Sequence, residues 1–314
     1  MAVSLHSKKV YYYQCSRNKL LDESSISKDK IHSLSWNKSG ENLCIGSEGY
    51  SGYLELVIPE RNMQLYSQYL ISGIYNKVNV SDWKDDNIFC CGNDNGTVFV
   101  FDTRTRYQIK KMKYHSHKIV GMKWSPDGRY ILSGGDDDKI LVHDNYNDKK
   151  IFESNEHKSA VKALSWCPGI SHKFVSGGGT NDKTIKIWNL NKNTDDSKSC
   201  LLTSKDTNEQ VCFVNWSEIN PNEIISTHGY SGNSINVWRL HSQKEDNNNK
   251  HDIEILNTKK WTGHQNRILH AIMNSYGDKL ITGCPNESIR FWNIYNSKKH
   301  NMMDNTCWNT CIIR

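Results

Sequence analysis

The chain has 314 residues, a mass of 36.2 kDa, 36% hydrophobic and 24% charged residues, and a net charge of +6. That length supports one large β or α/β domain or two smaller ones, and no run approaches the roughly 18 apolar residues of a membrane span. A pI near 8.6 permits acidic partners, but the lysines are scattered and interleaved with Asn and Asp, as in KEDNNNKHD (244–252), so neither nucleic acid nor membrane is an expected partner.

The opening MAVSLHSKKVYYY (1–13) places its lysines after the apolar start and has no h-region, which argues against a secretory leader. Its alternation suggests strands from Ala2 to Tyr13. Beyond it, a unit recurs: SLSW (33–36), VSDW (80–83), GMKW (121–124), ALSW (163–166) and FVNW (213–216), with successive Trp residues 47, 41, 42 and 50 apart. A turn follows each Trp, as in NKSG (37–40) or SPDG (125–128), and then an apolar run. A second alternating segment closes the later units: TVFVFD (97–102), KILVHD (139–144), TIKIWN (184–189), SINVWR (234–239) and SIRFWN (288–293). Period-2 alternation bounded by Gly, Asn and Asp predicts short antiparallel strands. A 40–50-residue unit ending in a Trp-Asp-like pair predicts WD-repeat propeller blades. Counting the opening strands and Ile268 to Asn293, the expectation is a seven-bladed β-propeller over 1–294 with a flexible tail over 295–314. Its first blade lacks an inner strand, so Met1 reads as an internal start.

GGGTNDKTIKIWN (177–189) carries three glycines, but it joins two strands, whereas a phosphate loop needs GxxxxGK[ST] leading into a helix. His157, Ser176, Asp182 and Trp188 fit the buried hydrogen-bonded tetrad of a WD blade. The His residues where blades join, His117, His157 and His264, are expected to serve such tetrads. GYSG, at 49–52 and again at 229–232, lacks the GxSxG of a nucleophile elbow and reads as a repeated turn. Asp136 to Asp138 lack the Gly and distal Glu of a calcium loop. The ten cysteines, such as Cys44, Cys167, Cys212 and Cys284, fall about one per strand, as reduced core residues do. Cys90 and Cys91 would face opposite sides of a strand, and Cys307 and Cys311 near His300 lack a second CxxC for zinc. No catalytic constellation, metal site or cofactor is expected, and the chain does not read as an enzyme.

HKSAVKALSWCP (157–168), GGGTNDKTIKIWN, QVCFVNWS (210–217), THGYSGNSINVW (227–238), GHQNRIL (263–269) and the terminal Ile313-Arg314 together resemble the fizzy and fizzy-related family. These are substrate-recruiting coactivators of the anaphase-promoting complex, a ubiquitin ligase. The resemblance is strongest from Tyr114 to Asn293. It implies a cell-cycle adaptor, in nucleus and cytoplasm, with degron-bearing substrates such as cyclins as partners. It places a Lys-Glu-Asn degron at Asp136, Asp138, Thr180, Gln210 and Arg267, with Asp where the family often has Asn. It places a destruction-box degron at Glu287 and near His6, where an acid is expected, and docking onto a helical-repeat groove of the ligase at Ile313 and Arg314. The family's activating box and checkpoint-protein segment would precede residue 1. The competing reading is a WD-repeat scaffold of another pathway. A lipid- or nucleic-acid-binding propeller would want a paired-Arg motif or a basic rim, and the sequence has neither.

Overall fold

The computed structural model describes residues 2–4, 9–14, 19–24, 30–48, 52–58, 64–71, 77–105, 107–191, 197–230, 232–242, 253–286, 288–295 and 311–313. These are strands and turns apart from one short helix, Ser197–Cys200. Each recurring unit makes one antiparallel sheet. The third, for example, runs Val78–Trp83, Ile88–Asn93, Thr97–Asp102 and Tyr107–Lys113. The fifth runs Ala163–Cys167, Ile170–Gly177, Thr184–Asn189 and Leu201–Asp206, and the sixth Gln210–Trp216, Glu223–Gly229, Ser234–Ser242 and Ile253–Thr262.

The strand count departs from expectation at both ends. Among the described residues, six complete four-stranded blades are formed rather than seven, because there the last sheet has only His270–Met273, Lys279–Gly283 and Ile289–Asn293. The chain that follows Asn293 supplies it no fourth strand among the described residues; Cys311–Ile313 goes elsewhere. It pairs in parallel with Ala2–Ser4, in a sheet completed by Val10–Gln14 and Lys19–Ser24. The first blade therefore has four strands, one of them taken from the tail. The physical reason is the open edge of Ala2–Ser4, whose backbone N–H and C=O groups need partners.

The turns explain themselves locally. After three of the inner strands, one polar side chain accepts a backbone N–H at the start of the second strand: Asn37 from Asn42 (3.0 Å), Ser125 from Tyr130 (2.9 Å) and Asn274 from Lys279 (2.9 Å). Three residues on, Gly40, Gly128 and Gly277 adopt φ near +70° (75°, 68° and 70°), which a side chain would resist.

The chain divides into two compact units, one of 1–122, 270–283 and 289–314, the other of 123–269 and 284–288. Trp83, Phe89, Phe99 and Phe101 centre one core of the first, and Phe152, Trp166, Phe174 and Trp188 one core of the second. The repeated Trp residues are buried, and two of them staple neighbouring sheets. Trp83 Nε1–H donates to the Ser35 carbonyl at 3.1 Å, and Trp166 Nε1–H to the Lys123 carbonyl at 3.2 Å. In each case the acceptor immediately precedes the Trp of the previous repeat, so a buried indole satisfies its donor only at the right blade spacing. Trp216 breaks the pattern by donating to Pro221 (2.7 Å). Cys44, Cys90, Cys91, Cys167, Cys200, Cys212 and Cys284 are all buried, as expected of core residues.

Removing residues 311–314 should expose the Ala2–Ser4 edge. The expected result is a melting temperature lower by about 2 °C or more, the shift roughly 1 kcal/mol produces in a domain of this size. An unchanged melting curve would mean that this pairing contributes nothing.

Candidate functional site

The fifth sheet is organised around a buried polar chain. Trp188 Nε1–H donates to Ser176 Oγ (2.8 Å), and the Ser176 hydroxyl donates to His157 Nε2 (2.7 Å). That leaves Nδ1–H of His157 to donate to the Asp182 carboxylate, which also accepts from Thr184 Oγ1 (3.1 Å). Burial lowers the His157 pKa, so the ring is neutral at pH 7. Burial, the largest single influence, would raise the Asp182 pKa, but the His157 bond, the Lys186 charge and the Thr184 hydroxyl together outweigh it and hold the group below its ordinary value. Here lies the reason for two of the three glycines. A Cβ on Gly178 would stand 1.8 Å from Asp182 Oδ2, and one on Gly177 2.3 Å from Val211 Cγ1 of the sixth sheet.

The sixth sheet repeats the chain with different wiring. Trp238 Nε1–H donates to Ser226 Oγ (2.6 Å), whose hydroxyl meets Nε2 of His228 (2.6 Å), two residues along the same strand. Full burial pushes the His228 pKa down to about 3. Nothing in the spacing of junction histidines signalled His228. His117, by contrast, is exposed and bonds its neighbour Ser116 (3.1 Å), while His115 is the buried one. The backbone N–H groups of Tyr114 and His115 both turn in to the Gly96 carbonyl, at 2.9 Å each, just past the end of the preceding strand at Lys113.

The turns held by these two chains enclose a cleft of about 370 Å³, lined by Thr180, Lys183, Asn208, Glu209, Gln210 and Tyr230. Its walls are tied together: the Lys183 carbonyl accepts from Thr207 N–H (2.9 Å) and from the Thr207 hydroxyl (2.7 Å), and Val211 N–H reaches the Gly178 carbonyl (3.1 Å). Lys183, Asn208 and Tyr230 all have left-handed backbones, with φ of 57°, 60° and 67°. Asn tolerates this, whereas Lys and Tyr are strained by about 1–2 kcal/mol each. Glu209 is neutralised by Lys260 at 3.3 Å. Gln210 Oε1 is buried in the cleft wall and accepts no hydrogen bond among the described residues. Arg267 lies at the edge, its guanidinium 5.3 Å from the Tyr230 ring centre and its Nη1–H donating to the Tyr230 hydroxyl at 3.0 Å.

Of the residues singled out in the sequence, Thr180 and Gln210 thus line one cleft, with Arg267 joined to it through Tyr230. Asp136 and Asp138 do not line it. Asp136 is exposed; Asp138 is half-buried, and its pKa is raised by burial first and then by Asp136, Asp137 and Asp182. Glu287, His6 and Arg314 lie outside the described residues, as do His300 and Cys307, and Ile313 and Cys311 are described by their backbone alone. Among the described residues, no three His, Cys, Asp or Glu side chains come together as metal ligands. Lys183, Asn208, Glu209 and Tyr230 were missed. The one signal for them was the second GYSG, whose Tyr is an exposed aromatic in a turn.

The family model described as "CDC20/Fizzy WD40 domain" matches residues 1–292. The chain belongs to the CDC20/Fizzy WD40 family. It is 32% identical over 292 residues to the B-type cell cycle switch protein ccs52B of Medicago truncatula, covering 92% of this chain and 55% of that one. It is 30% identical over 273 residues to the anaphase-promoting complex subunit cdc20 of Dictyostelium discoideum, covering 85% and 49%. Against the crystal structure titled "Crystal Structure of Mitotic Checkpoint Complex" the TM-score is 0.81 at 24% identity, covering 92% of this chain and 82% of that chain, which establishes the WD40 β-propeller fold. This CDC20/Fizzy chain spans about half the length of the relatives it matches.

The buried neutral His228 gives an acid sensitivity of definite sign. An unfolded His titrates near 6.5, the folded one near 3, so between these values only the unfolded chain takes up the proton. Stability is therefore full above pH 6.5 and falls as pH drops through this window, by up to about 1.4 kcal/mol per unit from this residue. Urea midpoints at pH 7 and pH 5 should differ less in His228→Asn than in the wild type. Equal differences would remove His228 from the explanation.

Proposed function

We propose that this chain is a non-enzymatic, substrate-recruiting coactivator of the anaphase-promoting complex, acting in the cell cycle in nucleus and cytoplasm. On this reading it binds Lys-Glu-Asn degron peptides in the cleft between the fifth- and sixth-sheet turns. Family membership supports the reading, as does the relative named as an anaphase-promoting complex subunit. The observation that carries it is the cleft lined by Thr180 and Gln210, whose buried Oε1 has no hydrogen bond among the described residues, with Arg267 at its edge. A buried carbonyl without a donor is costly by about 1–3 kcal/mol, and an incoming amide N–H relieves it. The Asn of the degron supplies that amide, while Thr180 offers a hydroxyl to the peptide backbone.

The Glu of the degron pairs with Arg267, whose planar fork suits a carboxylate. Asp136 and Asp138 attract its Lys from outside the cleft. A destruction-box peptide binds separately, through Glu287 and the region of His6, and Ile313 with Arg314 docks onto a helical-repeat groove of the ligase. That docking competes with the pairing of Cys311–Ile313 to Ala2–Ser4. Checkpoint proteins are further partners in this reading, and cyclins are representative substrates.

Arg267→Ala should weaken a fluorescent Lys-Glu-Asn peptide at least about tenfold, the equivalent of 1.4 kcal/mol. Added salt should weaken wild-type binding, because the edge of the cleft is solvated and its charges are screened. A destruction-box peptide should ignore Arg267→Ala and respond to Glu287→Ala. Equal Lys-Glu-Asn affinity for Arg267→Ala and wild type would sink the cleft assignment. The chain lacking 311–314 tests docking in a ligase pull-down, where undiminished capture would exclude the tail.

A further inference from the structure

Tyr230 has no part in any core. Its side chain is 65% exposed, yet its backbone is held at φ +67°, a conformation that aromatic residues avoid. Such strain persists only where the surroundings impose it, and it gathers at ligand clamps. The surroundings here are specific. The residue before it, Gly229, is crossed by two groups of the site: a Cβ there would stand 2.8 Å from Arg267 Cβ and 3.1 Å from Gln210 Oε1. On its other side, Asn233 Nδ2–H donates to the Gln265 carbonyl (3.0 Å), fastening the turn to the segment that carries Arg267. The result places the Tyr230 ring under the guanidinium at 5.3 Å and its hydroxyl at 3.0 Å from Nη1.

We propose that Tyr230 is the positioning residue for Arg267. Its ring and hydroxyl hold the guanidinium in one orientation at the cleft edge, so that the remaining N–H donors meet a peptide carboxylate without first being ordered. Arg carries a long flexible stem, and a partner that fixes it in advance leaves less freedom to be lost on binding. The ring attracts the cation through its face, while the hydroxyl accepts one of its five N–H groups and leaves the others available. Tyr230 thereby sets the discrimination of the cleft for an acidic side chain as well as its affinity. The inference rests on the peptide-binding reading given above, but it concerns a residue which that reading does not use.

The test is fluorescence anisotropy with two peptides, one containing Lys-Glu-Asn and one Lys-Gln-Asn, against wild type, Tyr230→Phe, Tyr230→Ala and Arg267→Ala. Wild type should prefer the Glu peptide. Tyr230→Ala should weaken the Glu peptide by about five- to tenfold, with little change for the Gln peptide, so the preference collapses toward that of Arg267→Ala. Tyr230→Phe keeps the ring and should retain most of the preference, within about threefold of wild type. A merely structural role would weaken both peptides alike, and that result overturns the proposal. So does an unchanged preference in Tyr230→Ala where Arg267→Ala abolishes it. If wild type binds neither peptide, the cleft reading itself fails and takes the role of Tyr230 with it, an outcome distinct from the other two.

Discussion

The Ser176 hydroxyl is the point on which the described site depends. It is completely buried, accepts from Trp188 and donates to His157, whose other nitrogen donates to Asp182. Each group satisfies the next, so none can move without leaving a buried polar atom unpaired, at about 1–3 kcal/mol. The four residues come from four places in the chain: the segment before the inner strand, the second strand, the turn that leads into the third, and the third strand itself. Their bonds therefore fix that turn against the sheet. Asp182 fills the space that a Cβ on Gly178 would take, and the turn is left presenting Thr180 and Lys183 outward.

The sixth sheet reaches a similar result with fewer parts. Ser226, His228 and Trp238 form a buried chain within two strands, and the bend after Gly229 then throws Tyr230 outward. Thr207 and Val211 bind the two turns to each other through the carbonyls of Lys183 and Gly178. A cleft built in this way is rigid before a ligand arrives, which suits recognition of an extended peptide by a few well-placed polar groups. Three left-handed residues around it show where backbone preference has yielded to the shape of the site.

The sheets were legible in the sequence because their physics is periodic. The Trp spacing reports a staple between neighbouring sheets, and NKSG and SPDG report turns whose first side chain and last glycine have fixed tasks. The tetrad residues could be named because His157, Ser176, Asp182 and Trp188 fall where a WD blade places them. Legibility failed where the outcome depends on non-local competition for strand edges. Nothing local in CIIR says that its backbone pairs with Ala2–Ser4, or that the last sheet stops at three strands. The cleft was half legible. Thr180, Gln210 and Arg267 came from family resemblance, whereas Tyr230 sat inside a motif whose repetition argued for a simple turn. Its role emerges only when the sixth-sheet turn is folded against the segment holding Arg267.

The most direct test of this account is a crystal structure of the chain bound to a Lys-Glu-Asn peptide. The account requires the Glu carboxylate within hydrogen-bond distance of the Arg267 guanidinium, with Tyr230 still beneath it, and a peptide N–H on Gln210 Oε1. A peptide bound elsewhere on the chain, or one in the cleft that leaves Gln210 Oε1 and Arg267 untouched, would contradict it.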